Sequence, residues 1–198
     1  MKKWSEIKQA TLDKLFLTID EADDQGYLSK FRYLANECLN IIANGVKPKI
    51  KVFNFEIVED KPDLVLRENQ YTLSNTITMP EDFLSFADMI VYHNNVPYDD
   101  VVYLSDKDFV VGEIGKYFIF YNAAWDDITE EDVQTDNTLT TDISVLNCLP
   151  TYIASQCLAQ DDVQRYAMLK NEFELMLSRL DTNIMYQNNH FRSSGGWY

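Results

Sequence analysis

Histidine is nearly missing from this chain: His93 and His190 are the only two in 198 residues. A Ser/His/Asp or Cys/His site would have to be built on one of them. His93 falls at a hairpin turn and His190 in the tail, so both read as exposed imidazoles and no catalytic group is expected. Cysteine is scarce as well. Cys38, Cys148 and Cys157 all lie in apolar helical runs, an odd count that reads as reduced core thiols. The eight residues between Cys148 and Cys157 match no zinc spacing. Six glycines form no phosphate loop, since "GEIG" is too short and does not open a helix. Bases are outnumbered, 17 to 32, for a net charge of −15, and no basic stripe of the kind that reads duplex DNA is found. No apolar run approaches the roughly 18 residues of a membrane span, and "MKKWSEIKQA" has charge but no apolar stretch, so neither a transmembrane helix nor a signal peptide is expected.

What the chain does have is a core. Hydrophobic residues make up 46% and aromatics 13%, too many for a disordered chain. The aromatics are mostly 12 Tyr and 11 Phe, and Tyr, with an apolar body and a polar tip, suits surfaces that become covered. The acid is uneven. Residues 126–142 hold seven acids and no base, about half the excess charge, whereas residues 143–198 hold five acids and four bases.

Periodicity divides the chain. Ile7, Thr11, Leu15 and Thr18 share one stripe and predict a helix over 5–18, followed by a polar joint at 20–26. Tyr27, Phe31, Leu34, Cys38, Ile41 and Ile42 predict a second helix over 25–43, ended by Gly45 and Pro48. The two are expected to pack as an antiparallel hairpin. From residue 49 the period shortens. "KIKVFNFEIV" alternates with a slip between Val52 and Phe53, which suggests a bulge or two covered faces. "YTLSNTITM" (71–79) alternates cleanly. Asn94-Asn95 is a two-residue hairpin turn between "FADMIVYH" and "VPYDDVVYL". "GEIG" reads as a hairpin loop between "DFVV" and "KYFIFYN", and all-apolar "YFIFY" (117–121) as a central strand. Residues 125–142 read as a loop with an edge strand near 139–143. Asn147 is placed as an N-cap with Pro150 in the first helical turn, and Asp161 with Gln164 as the capping box of a last helix through Leu180.

These readings give an α+β fold: a four-helix bundle from N- and C-terminal helical hairpins (1–45 and 143–182) with an inserted antiparallel β module (46–125). An acidic loop (126–142) and a C-terminal arm (183–198) complete the division. Acid pairs are frequent but none follows a calcium-loop pattern, and neither a metal nor a cofactor is expected.

The succession "NECLNII", a β module, "LPTYIASQ" and "KNEFELML" resembles phage head-to-tail connector proteins of the adaptor type, related to tail tubular protein A of short-tailed phages and closest to versions from phages of Gram-positive hosts. The resemblance covers about residues 4–180. It implies a non-enzymatic virion protein at the capsid–tail junction, assembled in the host cytoplasm. Its partners would be further copies, twelve in a ring, the portal protein, and a tail, stopper or nozzle protein, with DNA passing through the lumen unbound and no membrane involved. The family has no catalytic residues to transfer. An acidic wall repels phosphates, so some of Asp126, Asp127, Glu130, Glu131 and Asp132 are expected to line or rim that lumen. The aromatic tail, with Tyr186, His190, Phe191, Trp197 and Tyr198, is expected to touch a neighbouring subunit or the portal. The alternatives are another virion component (stopper, tail-completion or baseplate protein), a small-ligand or carbohydrate module using exposed Trp125 or Tyr98, and an acidic hydrolase using Asp pairs.

Overall fold

A computed structural model of the protein describes residues 1–57, 64–67, 70–73 and 76–191. Two compact units are present. One joins Met1–Pro48 to the chain from Trp125 onward; the other is Lys49–Ala124.

The first unit is organised by a helix that is buried nearly all round. Every residue of α6 (Leu149–Leu158) except Gln156 is buried, as expected of a helix with neighbours on every side rather than an amphipathic one. Three helices pack on it: α1 (Trp4–Leu15), α3 (Leu28–Gly45) and α7 (Val163–Phe191). Their buried faces include Ile7, Leu15, Phe31, Leu39 and Ile42, which join Ile153 and Leu146 in one cluster. Between the long helices lie α2 (Ile19–Asp24), α4 (Glu130–Thr135) and α5 (Ile143–Leu146). Two short strands, β1 (Lys2–Lys3) and β11 (Thr138–Leu139), pair antiparallel.

The helix ends explain the breaks. Phe16 takes a left-handed conformation (φ 56°) and its N–H donates to the Asp13 carbonyl, which stops α1 three residues before the expected end. Arg165 of α7 then donates to the free carbonyls of Lys14 and Leu15 at 3.0 and 3.1 Å, a cation on the negative end of that helix. Thr18 and Glu21 form a capping box, so part of the expected polar joint is the helix α2. Asn147 closes α5 rather than opening α6. The cap of α7 is Asp162, which accepts from the Arg165 N–H at 3.0 Å; Asp161 instead accepts from the Tyr27 hydroxyl.

The second unit is all β among its described residues. Strands β2 (Lys49–Ile57), β6 (Phe83–His93), β7 (Val96–Tyr98) and β10 (Gly115–Ala123) form an antiparallel sheet in the order β2-β10-β6-β7. A second sheet has the order β5-β9-β8, from β5 (Ile77–Thr78), β8 (Val101–Tyr103) and β9 (Asp108–Val111). β3 (Leu64–Arg67) and β4 (Gln70–Leu73) make a hairpin of their own. Ile57, Phe83, Val91, Tyr117, Ile119 and Tyr121 of the first sheet bury with Phe109 and Val111 of the second in one cluster.

The expected four-helix bundle with an inserted β module is therefore not what forms. The chain is α+β, with a multi-stranded antiparallel β core in its middle and a helical unit in which α6 is surrounded rather than paired. The two terminal hairpins were inferred from chain order and stripe periodicity. The Leu149, Ile153 and Cys157 stripe is one buried face of α6, but the structure buries its other faces as well, so the helix is the hub. Two β inferences change as well. "GEIG" is not a hairpin loop, because β9 and β10 lie in different sheets, and the chain also changes sheet at Asp99-Asp100 between β7 and β8. The slip in "KIKVFNFEIV" is not a bulge, since β2 pairs with β10 without interruption over nine residues; the irregular register lies between β10 and β6. Phe53 and Phe55 face the core while Ile50 and Val52 are exposed. The turn at Asn94-Asn95 has φ of 50° and 68°, the left-handed pair that a two-residue hairpin requires.

Candidate functional site

The acidic stretch after the β unit is more structured than its composition suggests. Ile128 is buried, and Asn36 of α3 holds it from both sides: its amide donates to the Ile128 carbonyl at 3.1 Å and its carbonyl accepts the Ile128 N–H at 2.9 Å. Thr129 then caps α4. Its N–H and hydroxyl donate to Asp132 at 2.9 and 2.7 Å, and its oxygen accepts the Asp132 N–H at 3.2 Å. Those bonds, the backbone N–H first, hold the Asp132 carboxyl below its usual range. Glu130, Glu131 and Asp132 occupy the first turn of α4, where the helix dipole favours negative charge. At the other end Asp136 accepts from the Ser5 N–H (2.8 Å) and hydroxyl (2.9 Å), fastening α4 to the start of α1.

The five candidate lumen residues thus separate. Asp132 is committed to the cap, and Glu130 to Arg32 at 3.1 Å. Asp126, Asp127 and Glu131 are exposed. Asp127 and Glu131 make no ion pair among the described residues. Of the tail candidates, Tyr186, His190 and Phe191 fall in the last turns of α7, whose side chains are not described there, and Trp197 and Tyr198 lie outside the described residues.

The joint between the units is clipped at its helical end. The Trp125 indole donates to the Lys47 carbonyl at 2.9 Å, tying the residue where the chain returns to the one near which it leaves. Lys47 in turn reaches Asp142 at 2.8 Å. Burial acts to raise the Asp142 carboxyl, but the Lys47 ammonium and the Ser144 hydroxyl and N–H outweigh it and bring it to about 2.

His93 is not the exposed turn imidazole expected from the sequence. Its side chain is only 15% exposed and stacks on Tyr117 at 4.5 Å, and Tyr117 stacks on Phe55 at 5.1 Å. Residues 55, 117 and 93 are directly opposed on β2, β10 and β6, so three rings form a ladder across the sheet. Nδ1 of His93 lies 3.4 Å from the Glu113 carboxylate and Nε2 3.1 Å from the Ile114 carbonyl. The ring nitrogens therefore hold the segment between β9 and β10 and face neither a serine nor a cysteine. Burial and the neighbouring Tyr98 push the Tyr117 phenol up to about 12. Tyr98 and Trp125, the candidate sugar platforms, are half-buried: Tyr98 meets His93 and Tyr117 edge-on, and Trp125 is held by Lys47.

Sequence reasoning overlooked a recess of about 300 Å³ on the helical unit, lined by Trp4 and Lys8 of α1, Leu28, Arg32 and Tyr33 of α3, and Val133 of α4. The Arg32 guanidinium lies 4.6 Å from the Tyr33 ring centre. The two cations sit on different helices, so only the fold brings them together. Among the described residues no group of three or more His, Cys, Asp or Glu is placed to hold a metal ion, and no helix is long and apolar enough to cross a membrane.

No protein-family model matches the chain, and no curated protein is significantly similar to it.

Proposed function

We propose that the chain is a structural virion protein, a head-to-tail adaptor that forms a ring beneath the portal, joins capsid to tail and lets DNA pass. The observation that carries this reading is the division of the chain: both of its ends contribute to one helical unit, which the chain leaves once after Pro48 and re-enters once at Trp125, with the β unit between. An adaptor has to meet two different neighbours, and two separately cored units give it two unlike sets of surfaces. Exposed apolar side chains occur on both, Tyr33 on the helical unit and Ile50, Val52, Val102 and Leu104 on the β unit. The acidity supports the same reading. A wall rich in carboxylates lacks the cations that would release counterions from DNA and hold it. Asp127 and Glu131 are exposed, form no ion pair among the described residues, and are the ones we assign to the lumen. The C-terminal residues 183–198 are assigned to contact with the portal or the adjacent copy.

The test is to mix the full chain with the portal protein of the same phage and weigh the products by mass photometry. A twelvefold adduct on the portal is expected. A portal that elutes and weighs as if alone would refute the reading.

A further inference from the structure

The recess on the helical unit brings two cations, Lys8 and Arg32, and one carboxylate, Glu130, to a hollow of mixed lining. Lys8 forms no ion pair among the described residues. Arg32 is shared with a single carboxylate, Glu130, whose side chain is 74% exposed. Trp4, Leu28 and Val133 supply the apolar lining. Its counterpart in charge lies on the β unit. β8 is an edge strand of its sheet. Val102 of β8 and Leu104, just past its end, are 52% and 47% exposed. Exposed Asp99 and Asp100 precede them and exposed Asp106 follows, with Lys107 the one base close by in sequence. A hollow whose cations outnumber its one carboxylate and an exposed apolar pair flanked in sequence by carboxylates are complementary, and a single chain carries both.

We propose that copies of this chain assemble head to tail, the Val102/Leu104 ridge of one copy seating in the Trp4/Leu28/Val133 recess of the next. Asp99, Asp100 and Asp106 meet Lys8 and Arg32 in that contact. It rests on the ring reading above and names the surfaces that make the ring. The contact joins unlike patches, so an open series keeps one free recess at one end and one free ridge at the other, and closure into a ring covers both. Screening by salt weakens the charged part of the contact, so assembly falls as ionic strength rises. The charges fix register and exclude the wrong pairing of ridge to ridge, where carboxylates would face each other.

The experiment uses the full chain at low salt. Equal amounts of ¹⁴N- and ¹⁵N-labelled protein are treated with a carbodiimide, which condenses an amine with a carboxylate lying against it. Peptides joining Lys8 of one isotope to Asp99, Asp100 or Asp106 of the other are expected; their absence, or links confined to one isotope, overturns the proposal. Charge reversal supplies the second arm. Lys8→Glu alone and Asp100→Lys with Asp106→Lys alone are each expected to lose self-association. An equimolar mixture of the two regains it, because each reversed recess then meets a reversed ridge. These residues are outside the buried cores, and an unchanged urea midpoint confirms that each variant folds. Association that survives either reversal, or a mixture that stays monomeric, overturns the contact. The outcomes separate the two ideas: rings that form on the portal regardless of these reversals defeat the contact and leave the adaptor reading standing. Cross-linked copies that ignore the portal do the reverse.

Discussion

Replacing Gly115 by Ala should damage the β unit through one identifiable neighbour. Gly115 has φ of +148°, where a side chain is strained, at a cost of about 1–3 kcal/mol. A Cβ there would also lie 2.2 Å from Nε2 of His93 and 2.9 Å from its Cδ2. The imidazole cannot step aside freely, because it is stacked on Tyr117 and bonded to the Ile114 carbonyl. Displacing it forfeits roughly 0.5–1.5 kcal/mol of ring stacking. The lost hydrogen bond costs a similar ~0.5–1.5 kcal/mol. The substitution should therefore destabilise by about 2–6 kcal/mol. In a His93→Ala background the clash has no partner, and Gly115→Ala should cost only the backbone strain of about 1–3 kcal/mol. A double-mutant cycle isolates the difference as a coupling between the two positions. Residues 49–124 contain no tryptophan and half of the tyrosines, so a near-ultraviolet ellipticity change through a urea titration that tryptophan fluorescence does not follow reports this unit. Equal costs in the two backgrounds, or no cost at all, would refute the assignment of His93 as the anchor of that segment.

Acid should release the Lys47–Asp142 pair. The Asp142 carboxyl sits at about 2 in the folded chain against about 3.9 unfolded, so its contribution is complete above pH ~4 and is lost as pH falls towards ~2. The urea-midpoint difference between the natural chain and Asp142→Asn should accordingly shrink between pH 5 and pH 2; a constant difference contradicts the pairing. The three thiols should resist a disulfide reagent in the folded protein and all react in urea. Cys38, Cys148 and Cys157 are buried, and burial pushes the Cys148 and Cys157 thiols up to about 11 and the Cys38 thiol up as well. Rapid labelling before unfolding would show that the α6 cluster is open. Ile153→Ala, at a fully buried position on the hub helix, should cost about 2–5 kcal/mol in the tryptophan-detected transition. A smaller loss would mean that α6 is not enclosed.

Local signals in the sequence were legible and long-range ones were not. The Asn94-Asn95 turn follows from the tolerance of asparagine for positive φ, and the central place of "YFIFY" from its unbroken apolarity, since β10 does lie between β2 and β6. Which sheet each strand joins was invisible, because β9 and β10 differ from an ordinary hairpin only in partners far along the chain. Two capping boxes, Thr18 with Glu21 and Thr129 with Asp132, have a readable spacing, but it is hidden among residues whose composition is simply acidic. α4 had no apolar face to announce it. Its anchors are Asn36, 92 residues from Ile128, and Ser5, 131 residues from Asp136. Four of the seven acids of that stretch are structural for that reason: Asp132, Asp136 and Asp142 each hold a partner, as does Glu130. The recess at Lys8 and Arg32 was beyond reach in the same way, since two helices and α4 have to meet before it exists.

The adaptor reading places the gene for this chain in a phage, so it is tested most directly by deleting that gene and imaging the particles that a host cell then makes. Filled or emptied heads lying apart from completed tails are the expected outcome, with tailed particles restored when the chain is supplied in trans. Intact, infectious tailed particles assembled without it would contradict the account.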